Sequence, residues 1–129
     1  VDSLLRHESP AVTDGKRRVD WVYVDDVAEA IVGAVIADGI AGETIDVGTG
    51  RLTSVREVVE RVARLVGEDT GIDYGGIPER SHETENAADP ARAQELLGWR
   101  STVPLGVGLE RTVNWYTEIW NAENDPTIN

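Results

Sequence analysis

The sequence predicts a mixed helix–strand fold, α/β or α+β, on three observations. Short runs of β-branched and aromatic residues alternate with longer runs of helical periodicity. Cap and turn residues, such as Asp14-Gly15, Asp89-Pro90 and Gly98, punctuate their boundaries. The 129 residues suffice for one domain with a core, and no repeat or low-complexity tract interrupts them.

In chain order, residues 1–6 read as the tail of a helix that starts before Val1. Residues 10–13 are a short extended run. "TDGK" then predicts a hairpin turn, because Asp-Gly tolerates positive φ. The return strand is "VDWVYV", 19–24, rich in β-branched and aromatic residues. Asp25 or Asp26 caps the next helix, and Asp26 with Glu29 makes a capping box. Val27, Ile31, Ala34 and Val35 fall on one face at helical spacing, and Gly39 ends that helix. A strand follows near 43–47, then a helix over 55–66. Val55, Val58, Val59, Val62, Leu65 and Val66 form its apolar stripe, and Gly67 stops it. "GIDYGG" is a short strand flanked by glycines, and "IPERSHETENAA" is a polar, irregular connection. Asp89 at the N-cap, Pro90 at the first helical position and Gly98 after the last turn define a compact helix. The last helix starts near Val107 and buries Leu109, Val113, Tyr116 and Trp120. Domain organisation is then one part over 1–121 and a loose tail over 122–129.

The stretch "TIDVGTGRLTSVRE", 44–57, has the outline of a phosphate-cradling turn at a helix start. Gly48 and Gly50 fill the first two positions of G-x-G-x-x-G, but the third falls on Thr53, and no Gly-Lys-Ser/Thr follows. Ser54 with Glu57 fits a capping box, so strand, turn and capped helix account for the stretch without a dinucleotide.

Composition narrows the function classes. The net charge of -12 disfavours nucleic acid and anionic membranes as partners. No apolar run approaches a membrane span. There is no cysteine, hence no disulfide or thiolate chemistry, and cytoplasm is the default expectation. Lys16 is the one lysine among 12 basic residues, so an anionic ligand depends on arginine forks. The absence of methionine, with valine first, predicts a piece of a longer chain or a processed product. His7 and His82 stand far apart with no metal-binding spacing. Asp25 and Asp26 could form an acid–base pair, but helix capping explains them better. Trp21, Trp99, Trp115 and Trp120 read as packing residues rather than a stacking platform.

The order of segments resembles one family. "DGKRRVDWVYVDDVAEAIVGAV" is similar to the Asp-Gly turn, V-x-V-D-D-V strand and helix of the extended short-chain dehydrogenases/reductases, the NAD-dependent nucleotide-sugar epimerases and dehydratases. "TIDVGTGRLTSVREVVERVARLVG", "IPERSHETENAADPARAQELLGW" and "VPLGVGLERTVNWY" resemble three later segments of that family, in the same order. The resemblance runs from about Pro10 to Tyr116. It implies a C-terminal substrate-binding lobe plus the last segments of a Rossmann-type fold, with the N-terminal Rossmann half absent. Such enzymes bind NAD or NADP on that half and move protons with a Tyr-x-x-x-Lys pair. None of Tyr23, Tyr74 and Tyr116 has a lysine four residues on. Catalysis and cofactor binding are therefore expected of an intact parent, not of this chain alone.

The resemblance also implies site residues. Arg80 would approach the phosphates of a nucleotide-diphosphate sugar, and Glu83 its ribose hydroxyls, both sensible pairings. The family often places a second phosphate-contacting arginine just before the Asp-aromatic pair, where Val19 stands here; a bulge could bring Arg18 to that role. Asp46 stands where the family often has Asn and reads as a structural substitution. The implied partners are the nucleotide sugar and the missing Rossmann half, with a homodimer left open. Two alternatives stand beside this reading: a stand-alone, non-catalytic binding remnant of the fold, and a structural fragment stable only against its missing half. The choice of sugar, and of epimerase, dehydratase or reductase, lies outside this sequence.

Overall fold

The computed structural model describes residues 1–67, 71–79 and 84–124. In chain order the elements are α1 (Asp2–Leu5), β1 (Ala11–Val12), β2 (Arg18–Asp20), α2 (Val24–Ile36), β3 (Leu52–Ser54), α3 (Val55–Val66), β4 (Asp73–Tyr74), α4 (Pro90–Leu97) and α5 (Leu105–Glu123). The mixed class is as expected. The chain divides into two compact units: Val1–Arg17, Ser54–Glu83 and Gly106–Asn129 form the first, Arg18–Thr53 and Thr84–Leu105 the second.

In the first unit, β1 and β4 pair in parallel, Ala11 opposite Asp73 and Val12 opposite Tyr74. Leu4, Val58 and Val113 are its buried apolar side chains. α3 forms where its caps predict. Ser54 Oγ accepts from the Glu57 amide, and Gly67 takes the left-handed conformation at its end. Of its stripe, Leu65 turns outward. α5 starts two residues before the expected Val107 and continues through Glu123, so Ala122 and Glu123 are helical rather than loose. Val113 is buried as expected, but Tyr116 is exposed. Arg6 stacks over the Trp120 ring, 4.9 Å from its centroid.

The Asp14-Gly15 turn closes no hairpin. β1 pairs with β4, and β2 pairs with β3. The turn is local: Asp14 Oδ1 accepts from the Lys16 amide at 2.8 Å, and Gly15 sits at φ +76°.

In the second unit, Ala30, Ala93 and Trp99 form the core, with Val22, Ile45, Val47 and Leu97 packed on it. α4 has the expected ends, Asp89 capping the Ala91 amide, Pro90 in the first turn and Gly98 left-handed. α2 departs from expectation in four ways. It begins at Val24, and the strand predicted over 19–24 is found at Arg18–Asp20 instead. Its N-cap is Tyr23, with no side-chain cap, and it ends at Ile36, before Gly39. Its buried face is Asp26 and Ala30, while Ile31 and Val35 are exposed. The reason is close helix approach: a Cβ on Gly33 would meet Leu97 Cβ at 3.7 Å, so the small residues of α2 face α4 and the large ones face away. Residues 43–47 form no strand. A strand needs a ladder partner, yet the alternation survives, with Ile45 and Val47 on the core and Thr44 and Asp46 exposed.

Candidate functional site

β2 carries the polar chemistry of the second unit. Its first and third residues, Arg18 and Asp20, fall on one side by the period of a strand. Each holds a distant stretch of chain. Asp20 accepts from the amides of Thr49 at 2.9 Å, Gly50 at 2.8 Å and Ala88 at 3.2 Å, and from the Thr49 hydroxyl. The glycine loop thus aims its N–H groups at an internal carboxylate, in the place where a phosphate cradle would hold a ligand. A Cβ on Gly48 would collide with Ala88 Cβ and come within 2.6 Å of Asp20 Oδ2.

The start of α3, in the first unit, is satisfied in the same internal way. The Val55 amide donates to Arg17 O and the Arg56 amide to Gly15 O, both at 2.9 Å. With the Ser54 cap on Glu57, three of the four orphan amides of that helix face protein oxygens.

Arg18 is clamped by Glu85 across 67 positions. Glu85 Oε1 accepts the Arg18 amide at 2.7 Å, and Oε2 accepts Nε at 3.0 Å and lies 2.9 Å from Nη2. No spacing rule links the two positions, so the pairing is invisible in the sequence. Arg18 is thus the one proposed ligand residue with a described environment. Arg80, Glu83 and His82 lie outside the described residues.

Asp26, expected as a helix cap, is instead fully buried. It accepts from Ser101 Oγ at 2.7 Å, Thr102 Oγ1 at 2.9 Å, and the Thr102 and Val103 amides at 3.0 Å. The Trp99 indole donates to its backbone carbonyl at 2.8 Å. Capping and acid–base readings both give way to an anchor.

Burial pushes both carboxyls up, but their donors outweigh it. For Asp26 these are Ser101, Val103 and Thr102; for Asp20, Thr49, Gly50 and Ala88. Both end below the ordinary 3.8. A depressed carboxyl contributes stability that is complete above its unfolded value and is lost as pH falls through the folded one. Stability of the second unit is therefore expected to stay level from neutral pH to about 5 and fall below about 4. Denaturant melts across pH 7 to 2 check this, and a curve that rises toward acid would contradict it.

Among the described residues, no group of three or more His, Cys, Asp or Glu could hold a metal, and no helix is long and apolar enough to cross a membrane.

No protein-family model matches the chain. It is 36% identical over 103 residues to the UDP-glucose 4-epimerase of Mycolicibacterium smegmatis, covering 80% of this chain and 32% of that one. The UDP-glucose 4-epimerase of Thermotoga maritima, solved with UDP-glucose, is 31% identical at a TM-score of 0.82, covering 92% of this chain and 38% of that one. The dTDP-glucose 4,6-dehydratase of Bacillus anthracis, solved with NAD, is 26% identical at a TM-score of 0.79, covering 91% and 37%. The chain spans about a third of the length of the curated relatives it matches.

Proposed function

Since the chain matches the C-terminal part of NAD-dependent UDP-glucose epimerases and dTDP-glucose dehydratases, the extended short-chain dehydrogenase/reductase proteins, we propose that it is the nucleotide-sugar-binding part of such an enzyme. The observation that carries this reading is the likeness over 92% of the chain to an epimerase solved with UDP-glucose. In this reading Arg80 holds the diphosphate, Glu83 accepts from the ribose hydroxyls, and Arg18, which lies on the Asp20 side of β2 rather than at the Val19 position, reaches the phosphates as a second contact. NAD or NADP belongs to the N-terminal Rossmann half and supplies the transient oxidation of a sugar carbon. The amides of Thr49 and Gly50 donate to Asp20, so this glycine loop is a poor fit for a cofactor pyrophosphate.

The outer face of α2 supports the missing half as a partner. Val24, Ile31, Val32, Val35 and Ile36 are 59–79% exposed along this one helix. Exposed apolar side chains gathered on one helix face are the usual mark of an interaction surface.

In an enzyme assembled from this chain and its N-terminal part, Arg80→Ala is expected to raise KM for the sugar nucleotide about 10- to 100-fold. Cofactor affinity should not change. An unaltered KM would remove Arg80 from the site.

A further inference from the structure

The Arg18–Glu85 pair has the form of an anion site filled by the protein's own carboxylate. The guanidinium fork meets one Glu85 oxygen through Nε and Nη2, while the other oxygen takes the Arg18 backbone amide. Two phosphate oxygens suit the same donors, because guanidinium pairs with carboxylate and phosphate in like geometry. The pair is open to water, with side-chain exposures of 58% for Arg18 and 34% for Glu85. Exposed ion pairs hold weakly, since screening and side-chain entropy offset most of the attraction. A diphosphate, carrying more charge than one carboxylate, competes well for such a fork.

A second anchor behaves differently. Three residues on from Glu85, the Ala88 amide donates to Asp20, whose carboxylate also serves Thr49 and Gly50. That cluster is half-buried and shared among three donating residues, so it does not exchange with a single ligand. Among the described contacts, β2 thus meets residues 84–88 by an exchangeable outer one and a fixed inner one.

Resting on the reading that Arg18 meets substrate phosphate, we propose that Glu85 is an internal competitor of the nucleotide diphosphate. Binding replaces Glu85 by phosphate on Arg18 and frees residues 84–87 from β2, while Asp20 keeps Ala88 in place. Glu85 thereby lowers affinity for the nucleotide and couples binding to the conformation of this segment.

Calorimetric titration of the full chain with UDP, and with uridine as the phosphate-free probe, tests this. Glu85→Gln keeps the size and the acceptor for the Arg18 amide but removes the charge. It is expected to bind UDP about 5-fold more tightly than the natural protein, with uridine binding unchanged. The gain should vanish in the double variant Glu85→Gln, Arg18→Gln. Equal or weaker UDP binding by Glu85→Gln, or a gain that survives Arg18→Gln, overturns the proposal. Arg80→Ala run alongside separates the two levels. Loss of UDP binding there, with no response at Glu85, overturns the competition alone. Absence of UDP binding in every variant overturns both the competition and the nucleotide-binding reading.

Discussion

Asp26→Ala is expected to destabilise the second unit by about 4 kcal/mol, close to the whole stability of a marginal domain. The carboxylate is 1% exposed and takes four hydrogen bonds from 101–103. The hydroxyls of Ser101 and Thr102 can rotate toward other acceptors. The amides of Thr102 and Val103 cannot, and an unsatisfied buried donor costs about 1–3 kcal/mol. Loss of the anchor also loosens the turn that seats Trp99, whose indole bonds the Asp26 carbonyl and whose ring lies in the core. In Asp26→Asn the amide oxygen can serve Ser101 and the two backbone amides while the NH₂ turns to the Thr102 hydroxyl, which can accept, so only the charge on these bonds is lost and a smaller cost of about 1–2 kcal/mol is expected. Denaturant unfolding measures the totals. Hydrogen exchange at the Thr102 and Val103 amides gives the local readout, because Asp26 is their acceptor. A loss under 1 kcal/mol for Asp26→Ala would mean that water or a neighbour takes over those donors.

What could be read from the sequence was local. α3 and α4 were legible because their caps and stops, Ser54, Gly67, Asp89, Pro90 and Gly98, act within a few residues of the helices that they end. The start and the buried face of α2 are not legible in its own sequence, because its neighbours decide both. Asp26 looks like a cap until 101–103 supply four donors, and Ile31 with Val35 looks like a core stripe until α4 packs on Ala30 and Gly33 instead. The hairpin failed for a related reason. Asp14-Gly15 makes a good turn, but which strand pairs with which depends on β3 and β4, far along the chain. Arg18, Arg80 and Glu83 are candidates through motif resemblance alone. The Glu85 clamp and the Asp20 knot join residues dozens of positions apart, and no periodicity encodes such a contact.

The Asp20 knot yields the second large effect. Gly48→Ala is expected to cost about 3 kcal/mol, for a steric reason rather than a conformational one. Gly50, two residues on, sits at φ +75° and needs glycine for its backbone; no left-handed φ applies at Gly48. There the added methyl would occupy the space of Ala88 Cβ and approach Asp20 Oδ2 to 2.6 Å. Ala88 is held by its amide and Asp20 by its place on β2, so neither yields freely. If the carboxylate turns away, the Thr49, Gly50 and Ala88 amides lose their acceptor together. The cost should therefore depend on Asp20. In an Asp20→Ala background, where the space is vacated and the amides are already without it, Gly48→Ala should cost at least about 1 kcal/mol less than alone. Additive losses would place the clash elsewhere, on Ala88 alone. Coupled losses would mean that the two glycines of this loop close it around an internal anion, which is why a fingerprint resembling a phosphate cradle can stand in a chain whose own carboxylate fills it.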